Sequence, residues 1–526
     1  MKVLAWLALL LVAWHPPARE DQLSHLQSFD MVIIGGGATG AGIALDAASR
    51  GRSVLLVDRG DFSSQTSSKS TKLVHGGVRY LEKAVKNLDK KQYALVKEAL
   101  KERGTLFDIA PFAVRPLAIV TPIYKWREVP YYWAGLKFYD YVAKEASIEK
   151  SRFLSPKQVK ERIPSIRQKG LKGGVVYYDG QFNDTRLNIT IILSAVQRGA
   201  VALNYVEAVD LVKVDGKVCG VWLEDRLTGK RYKVSSEVVV NATGPFSDTI
   251  RKMDGAQRTM IRPSSGTHIV LDAKYMPTDA GILIPKTKDE RLLFLLPWQG
   301  MTVAGTTDHC TELTDNPLPH DDDVQYILDH INEYLDEEVT EVKAVWTGLR
   351  PLVLDPRVED TSKLCREHVV QVSDSGLISV MGGKWTTYRK MAEDAVDAAF
   401  GPGSQTAALP LLGAEGYTEK APYLLHEKTG YDLPRCERLI QAYGMSAFEV
   451  VEIGEERFAV RHEYARTISD VLLRRTRAGF LDAQAALDKV DEVAKICQEE
   501  LWWSDEEMQE QKVAAIAEIR QFLPYE

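Results

Sequence analysis

Gly35, Gly37 and Gly40 stand at G-x-G-x-x-G spacing, with Gly36, Ala38 and Thr39 between them, and Asp58 follows 18 residues after Gly40. The chemistry such a set can do is to hold a dinucleotide. The first glycine allows a tight turn, the second lets the backbone approach a pyrophosphate, and the third lets a helix pack close to a strand. The free N–H groups and positive dipole end of that helix attract phosphate. A carboxylate at the position of Asp58 meets a ribose hydroxyl. These residues need elements to place them. Phe29 to Ile34 is a short apolar, β-branched run that reads as a buried strand, and Ser53 to Val57 reads as a second strand ending at Asp58. Glycines alone describe any tight turn. Strand, glycines, helix, strand and acid in this order specify a Rossmann-like unit of an α/β fold.

The chain has 526 residues, enough for two or three domains, and its 45% hydrophobic and 26% charged residues are those of an ordinary globular protein. A net charge of -7 argues against a general nucleic-acid binder. Cys219, Cys310, Cys365, Cys436 and Cys497 are odd in number, far apart and without a C-x-x-C. They suggest free thiols rather than a disulfide framework or a zinc site, and no EF-hand loop is visible, so no metal is expected. Residues 3–14 are wholly apolar behind Lys2. That run is shorter than the ~20 residues of a membrane-spanning helix and resembles a signal-peptide core or an anchor. The sequons at Asn183, Asn188 and Asn241 sit in or beside apparent folded elements and read as chance matches.

A Ser/Thr/Lys/Gly-rich loop occupies 62–80, and 86–103 has a helical amphipathic pattern. Residues 124–143 mix aromatics with Lys125, Arg127 and Lys137, a pattern that suits either a membrane interface or an aromatic helix packed in the core. From 171 onward strand-like pieces alternate with turns, "VDGKV" reads as a hairpin, and 293–308 reads as two more strands. After about residue 400 charged helices dominate, which marks a separate helical domain. Two later segments bear on the cofactor. "VVVNATGPFSD" (238–248) is a strand running into Thr243-Gly244 and a helix start. "GLISVMGGKWTTYRK" (376–390) repeats the theme around Gly382-Gly383, Lys384 and Thr386. A second glycine turn far from the first suits FAD, a long cofactor whose reduced flavin edge would gain from a helix N-terminus.

"VIIGGGATGAG", "SSKSTKLVHGGVRYL", "VVYYDGQFNDTRLN", "VVNATGPFSD", "GTHIV", "FLLPWQGMTVAGTTD", "GLRPLV" and "MGGKWTTYRKMAEDA" occur in this order. Together they resemble the FAD-dependent glycerol-3-phosphate dehydrogenase family, especially its mitochondrial members, densely over about 29–400. The resemblance implies an α/β fold with a Rossmann-like FAD domain of the glutathione-reductase/D-amino-acid-oxidase type, at about 28–85, 171–256 and 345–400. It also implies a β-rich substrate domain at about 86–170 and 257–344, and a C-terminal helical domain at 410–526, after an N-terminal segment and linker at 1–27. The implied activity is oxidation of sn-glycerol 3-phosphate to dihydroxyacetone phosphate, with electrons passed through FAD to ubiquinone at the outer side of the mitochondrial inner membrane. A membrane surface and a homodimer are the further partners expected.

Within that resemblance, oxidising a secondary alcohol requires a base and a phosphate clamp beside the flavin. Arg79 and Arg350 are the expected clamp, since a guanidinium fork matches phosphate oxygens, with Tyr80 and Lys384 as helpers. His268 and His75 are the two candidates for the base; His268 is the one expected, with His75 beside the flavin where Gly76 and Gly77 allow close approach. Thr306, Thr307 and Asp308 line the pocket or simply form a turn. Ser67, Ser68 and Ser70 are expected on the FAD phosphates and ring. The sequence departs from the family at its ends. The apolar N-terminus is not a usual mitochondrial presequence. Near 453–462 the chain runs straight into its Arg-x-Glu-Tyr segment, where relatives carry an extra stretch, and the EF-hands of some animal members are missing. Two other readings compete: an oxidase that returns electrons to oxygen, and an inactive, secreted flavin-binding relative.

Overall fold

The computed structural model describes residues 15–77, 89–143, 148–285, 287, 291–354 and 367–524. The apolar 3–14 run, Arg79, Tyr80 and Cys365 lie outside the described residues. Two sheets organise the chain. In the first, strand Ser28–Ile34 pairs in parallel with Val54–Val57 on one side and with Arg231–Asn241 on the other. Val201–Leu203 extends it beyond Val54–Val57, and Ile378–Gly382 beyond Arg231–Asn241. The middle strands are apolar without alternation because both faces are covered: Met31 to Ile33 and Val54 to Val57 are fully buried. Burying each such side chain contributes roughly 1.5–3 kcal/mol.

Helix Ala38–Ser49 follows the first strand and packs beside Tyr388–Phe400. Its approach is close enough that a Cβ on Gly42 would lie 2.8 Å from the Tyr388 ring. The "VDGKV" hairpin forms as the sequence predicts. Val214 pairs with Lys217, and Asp215 (φ 50°) and Gly216 (φ 76°) adopt the left-handed conformations of a two-residue turn.

The second sheet runs in the order His309–Cys310, Ile261–Leu271, Met301–Gly305, Leu293–Trp298, Ala280–Ile284, Val114–Ile123, Gly173–Phe182 and Leu73–Val74, with Ala344–Val353 also paired to Ile261–Leu271. Gly173–Phe182 and most of Ala344–Val353 fall in segments that the family resemblance assigned to the FAD domain. Here they pair along ten residues each with Val114–Ile123 and Ile261–Leu271, so the two sheets interleave along the chain. The helix expected over 86–103 starts at Lys90, where the Asp89 side chain accepts from the amides of Lys91 and Gln92. It continues to Ile109 because Leu106 and Ile109 prolong the buried stripe.

Helix Val129–Ala143 has both characters that its aromatics suggested. Leu136, Tyr139 and Val142 are buried, while Tyr131, Trp133 and Tyr141 face outward. No helix among the described residues is long and apolar enough to cross a membrane.

Beyond residue 400 every named element of the described residues is helical. The first of these helices close a small core of their own around Leu425, Leu439, Ala447 and Phe458, and the later ones join the second sheet. Val471, Leu473, Phe480 and Val490 share a core with Val270, Trp298, Val303 and Trp346 of that sheet. Helices Ala447–Ile453 and Glu455–His462 meet at Gly454 (φ 91°) with no loop between them. Asn183 caps a helix, and Asn188 and Asn241 are fully buried and bonded to backbone oxygens.

Candidate active site

The parallel strands deliver Asp58, Gly35, Thr243 and Gly382 to the ends of four neighbouring strands. At ~4.8 Å per strand their line is about 14 Å long. A cleft of about 1280 Å³, part of it open to solvent, follows that line. Its walls include Gly35, Gly37, Ala38, Thr39, Asp58, Ser67, Thr243, Gly244, Gly382, Gly383 and Lys384. The first glycine turn is built as its spacing implies. Gly35 has φ 110°, and a Cβ there would lie 2.7 Å from the Ala242 oxygen. A Cβ on Gly40 would lie 1.8 Å from the Gly35 oxygen, so no other residue lets the helix dock on its strand.

Gly36 is not on the wall; its amide donates to Asp58 Oδ2 at 2.7 Å, and Gly60 donates to Oδ1 at 2.9 Å. Burial pushes the Asp58 carboxyl up to about 6, with those two amides and Arg59 pulling the other way. The Ala38 amide at the helix start donates to Ser67 Oγ at 2.9 Å. That is the kind of donor a phosphate oxygen takes. A glycine cradle, a helix N-terminus and a carboxylate along one elongated cleft fit an FAD.

Several expected contacts point elsewhere. The Ser68 hydroxyl donates to the Gln65 oxygen at 3.0 Å. The Ser70 amide and hydroxyl donate to Asp184 at 3.0 and 2.8 Å. Neither hydroxyl is on the cleft wall: Ser68 is taken by a backbone oxygen of its own turn and Ser70 by a buried carboxylate. Gly76 approaches Tyr139, whose hydroxyl accepts from its amide at 3.0 Å. Thr386 Oγ1 accepts from the His75 amide at 3.1 Å, which places His75 beside the second glycine turn.

The second sheet presents one face to this region. Directly paired residues project to the same side of a sheet, and alternate residues share it. Phe294, Gly305, His268 and Trp346 are in register across four strands, with Ser264 opposite Arg350 and Gly266 opposite Gly348 on the same face. The glycines make room: a Cβ on Gly266 would strike the Arg350 guanidinium, and one on Gly305 would strike the His268 ring. His75 touches the far end of this row through Phe294, ring centroids 6.4 Å apart. The strand of Phe294, which His75 touches, lies two strands from that of His268, while the cleft reaches this sheet at Pro351, next in sequence to Arg350.

Arg350 is the hub of the face. Its Nη1 donates to the Ser265 oxygen and Asp308 Oδ1 at 3.1 and 3.0 Å, and its Nη2 to Thr306 Oγ1 and the Thr307 oxygen, both at 2.9 Å. The 306–308 turn therefore shapes the guanidinium. His268 is buried, stacks on Trp346 at 4.2 Å and has Nε2 3.0 Å from Thr71 Oγ1. Its Nδ1 is buried without a hydrogen-bond partner among the described residues. Burial, with Lys72 and Arg350 nearby, holds its pKa well below the ordinary 6.5, so the ring is neutral.

Sequence reasoning missed what lies beneath the 58–72 loop. Asp61 accepts from Arg475 at 2.8 and 2.9 Å and from Arg474 at 2.8 Å. Lys72 donates to Asp184 at 2.6 Å, Arg477 lies 3.4 Å from the same carboxylate, and Arg186 grips Glu463 at 2.7 and 2.6 Å. Burial pushes the Lys72 ammonium down to about 7, with Asp184 opposing. The "RRTR" run at 474–477 was the available signal, since three arginines so close together in an otherwise mixed segment need partners. Elsewhere His15, Glu449 and His462 bring ligand-type atoms within 4.8 Å of one another. The His15 and His462 rings are tilted with centroids 4.4 Å apart and Nδ1 atoms 3.1 Å apart, and Phe458 stacks on His462 at 4.5 Å.

Comparison with known proteins agrees with this architecture. A family described as FAD dependent oxidoreductase matches residues 30–389, and one described as the C-terminal domain of alpha-glycerophosphate oxidase matches 453–508. The mitochondrial glycerol-3-phosphate dehydrogenase of Homo sapiens is 44% identical over 97% of this chain and 76% of its own length. The mitochondrial glycerol-3-phosphate dehydrogenase of Arabidopsis thaliana is 44% identical over 96% of this chain and 88% of its own. The human alignment spans 555 positions against 526 residues here, so the relative carries residues that this chain lacks within the aligned region. The crystal structure of the Bacillus halodurans glycerol-3-phosphate dehydrogenase complexed with FAD superposes with a TM-score of 0.79 at 31% identity, covering 97% of this chain and all of that one. By these matches and by its own cleft, the chain belongs to the FAD-dependent glycerol-3-phosphate dehydrogenase family.

Proposed function

We propose that this chain oxidises sn-glycerol 3-phosphate to dihydroxyacetone phosphate, FAD supplying the hydride acceptor when bound and ubiquinone receiving the electrons. The observation that carries the reading is the junction at Pro351. There the cofactor cleft reaches the strand that carries Arg350, which pairs with the strand of a buried, half-satisfied His268. In this reading Gly35, Gly37, Ala38, Thr39 and Ser67 hold the pyrophosphate, and Asp58 the ribose. Thr243, Gly244, Gly382, Gly383 and Lys384 flank the rest of the cofactor. His268 takes the substrate hydroxyl proton at Nδ1, which is neutral and has no other partner. Arg350 binds the substrate phosphate by its fork, already oriented by Thr306, Thr307 and Asp308. Arg79, Tyr80 and Lys384 complete the clamp by sequence, and His75 borders the ring beside Thr386.

The electrons leave at a membrane in this reading, the outer side of the mitochondrial inner membrane, as the relatives' mitochondrial names suggest. Trp126, Tyr131, Trp133 and Tyr141 are exposed aromatics of the type that seats at a lipid interface. The test is an anaerobic titration of the FAD-loaded protein. Glycerol 3-phosphate should bleach the flavin, and a short-chain quinone should restore it. Flavin that stays oxidised in folded, loaded protein refutes the substrate. Stoichiometric peroxide in air without quinone reduction would identify an oxidase instead.

A further inference from the structure

Neutral imidazole holds its proton on one nitrogen, and the hydrogen bond at the other decides which. His268 has such an arrangement, with Nε2 against Thr71 Oγ1 at 3.0 Å and Nδ1 buried and unpartnered. The charged groups that act on the ring are Lys72 and Arg350, both positive. A positive field favours a lone pair over an N–H on the unpartnered nitrogen. The Thr71 hydroxyl then accepts from Nε2–H.

Thr71 is held in place from both sides. Before it, Ser70 donates twice to Asp184 Oδ2. After it, Lys72 donates to the same oxygen at 2.6 Å and to the Ser68 oxygen at 2.7 Å. From 400 residues further along the chain, Arg477 donates to the Ser68 oxygen at 2.8 Å and to Thr185 Oγ1 at 2.9 Å. Lys72 and Arg477 are wholly buried, and both have left-handed backbones, φ 64° and 65°. Such conformations are strained in a non-glycine residue and persist where the surroundings dictate them. Two strained cations converging on one carboxylate show that this short loop is fixed with unusual force, and Thr71 is the residue it offers to His268.

We propose that Thr71 is a positioning residue for His268: its hydroxyl fixes the Nε2–H tautomer and leaves the Nδ1 lone pair for the substrate proton, while the Lys72–Asp184–Arg477 cluster holds the loop that presents it. This rests on His268 as the proton acceptor. The experiment uses the full chain loaded with FAD and labelled with 15N-histidine, comparing the parent with Thr71→Val, Thr71→Ser and Arg477→Lys. The histidine spectrum should show the Nε2–H form of His268 in the parent and in Thr71→Ser, and loss of that single form in Thr71→Val. Flavin reduction by glycerol 3-phosphate should fall about 10- to 100-fold in Thr71→Val with KM and FAD content unchanged, and recover in Thr71→Ser. Arg477→Lys keeps the charge but loses the fork, and should give an intermediate loss by loosening the loop. A His268 tautomer unchanged in Thr71→Val overturns the proposal, as does a rate within twofold of the parent. If the tautomer moves but no variant or parent reduces its flavin with this substrate, the positioning stands and the substrate reading fails.

Discussion

Asp61→Asn tests whether the C-terminal helices lock the cofactor loop. Asp61 is 1% exposed and accepts four hydrogen bonds, two from Arg475, one from Arg474 and one from Asn204. Burial raises its pKa, but Arg475 and Arg474 outweigh burial and hold the carboxyl below its ordinary value. Asparagine keeps the shape and removes the charge, and its NH2 faces a guanidinium. Arg474 retains Asp470 and Glu518, while Arg475 falls back on the Glu463 carbonyl. Removing one side of a buried pair costs about 3–5 kcal/mol.

At roughly 2.1 cal/mol/K per residue, a chain of this length loses about 3–5 °C of Tm if it unfolds as one unit. The injury is local, however. Asp61 sits two residues before Ser63 and Ser64, which line the cleft. Flavin should therefore leave before the chain unfolds. The assay follows flavin fluorescence and far-UV circular dichroism on one FAD-loaded sample. The parent should show coincident midpoints, and Asp61→Asn should release flavin several degrees below its unfolding midpoint. Coincident midpoints within a degree of the parent would refute the lock. A double variant with Arg475→Gln should lose less than the two single losses added, because the buried guanidinium is then gone as well.

Gly40→Ala puts a methyl 1.8 Å from the Gly35 oxygen, so the purified protein should carry little FAD and melt well below the parent; full occupancy would show that the helix can shift. Arg350→Lys keeps the charge but cannot reach Asp308, Thr306 and Ser265 at once, and kcat/KM for glycerol 3-phosphate should drop by about 2–4 kcal/mol in transition-state terms, with FAD affinity unchanged. Asp58 has its pKa raised from 3.8 to about 6, so its stabilising contribution is full below 3.8 and is lost as pH rises through 6, by at most about 3 kcal/mol. Urea melts from pH 4 to 7 should show that decline, and Asp58→Asn should flatten it. His268, with its pKa well below 6.5, should leave flavin reduction at saturating substrate flat from pH 8 to 6.5; an acid limb centred there would mark an ordinary, hydrated imidazole.

What could be read from the chain was local. The strand Ser28–Ile34, the turn at Gly35 and the acid Asp58 follow from residues within 30 positions of one another, where spacing and hydrophobic period carry the whole message. The second glycine turn at Gly382 was legible for the same reason. The 61–72 loop was not. Its hydroxyls suggest solvent or phosphate, and Ser67 does line the cleft, but Ser68 and Ser70 answer to Gln65 and to Asp184, 114 residues away from Ser70. Composition cannot say which of several hydroxyls faces a ligand when a buried carboxylate from another element competes for them. Nor does any local pattern reveal that strands Gly173–Phe182 and Ala344–Val353 cross to the second sheet, since a buried strand reads the same in either.

The same limit hid the part played by the C-terminal helices. Read by position they form an appendage after residue 400. In the fold they contribute Arg474, Arg475 and Arg477 to carboxylates on the cofactor loop and its supporting helix, and Glu463 to Arg186. Four buried ion pairs are a poor way to gain stability, because desolvation offsets most of their attraction. They are a good way to fix one arrangement, because any displaced alternative strands a charge. In this protein the fixed arrangement includes the left-handed Lys72 and, through Thr71, the ring of His268. The shortening that the sequence suggests near 453–462 would alter this grip only if it moved Glu463 or the 474–477 run. The direct helix-to-helix join at Gly454 leaves Arg186 and Glu463 2.6 Å apart. The contact that ties the helices to the site is therefore intact beside that join.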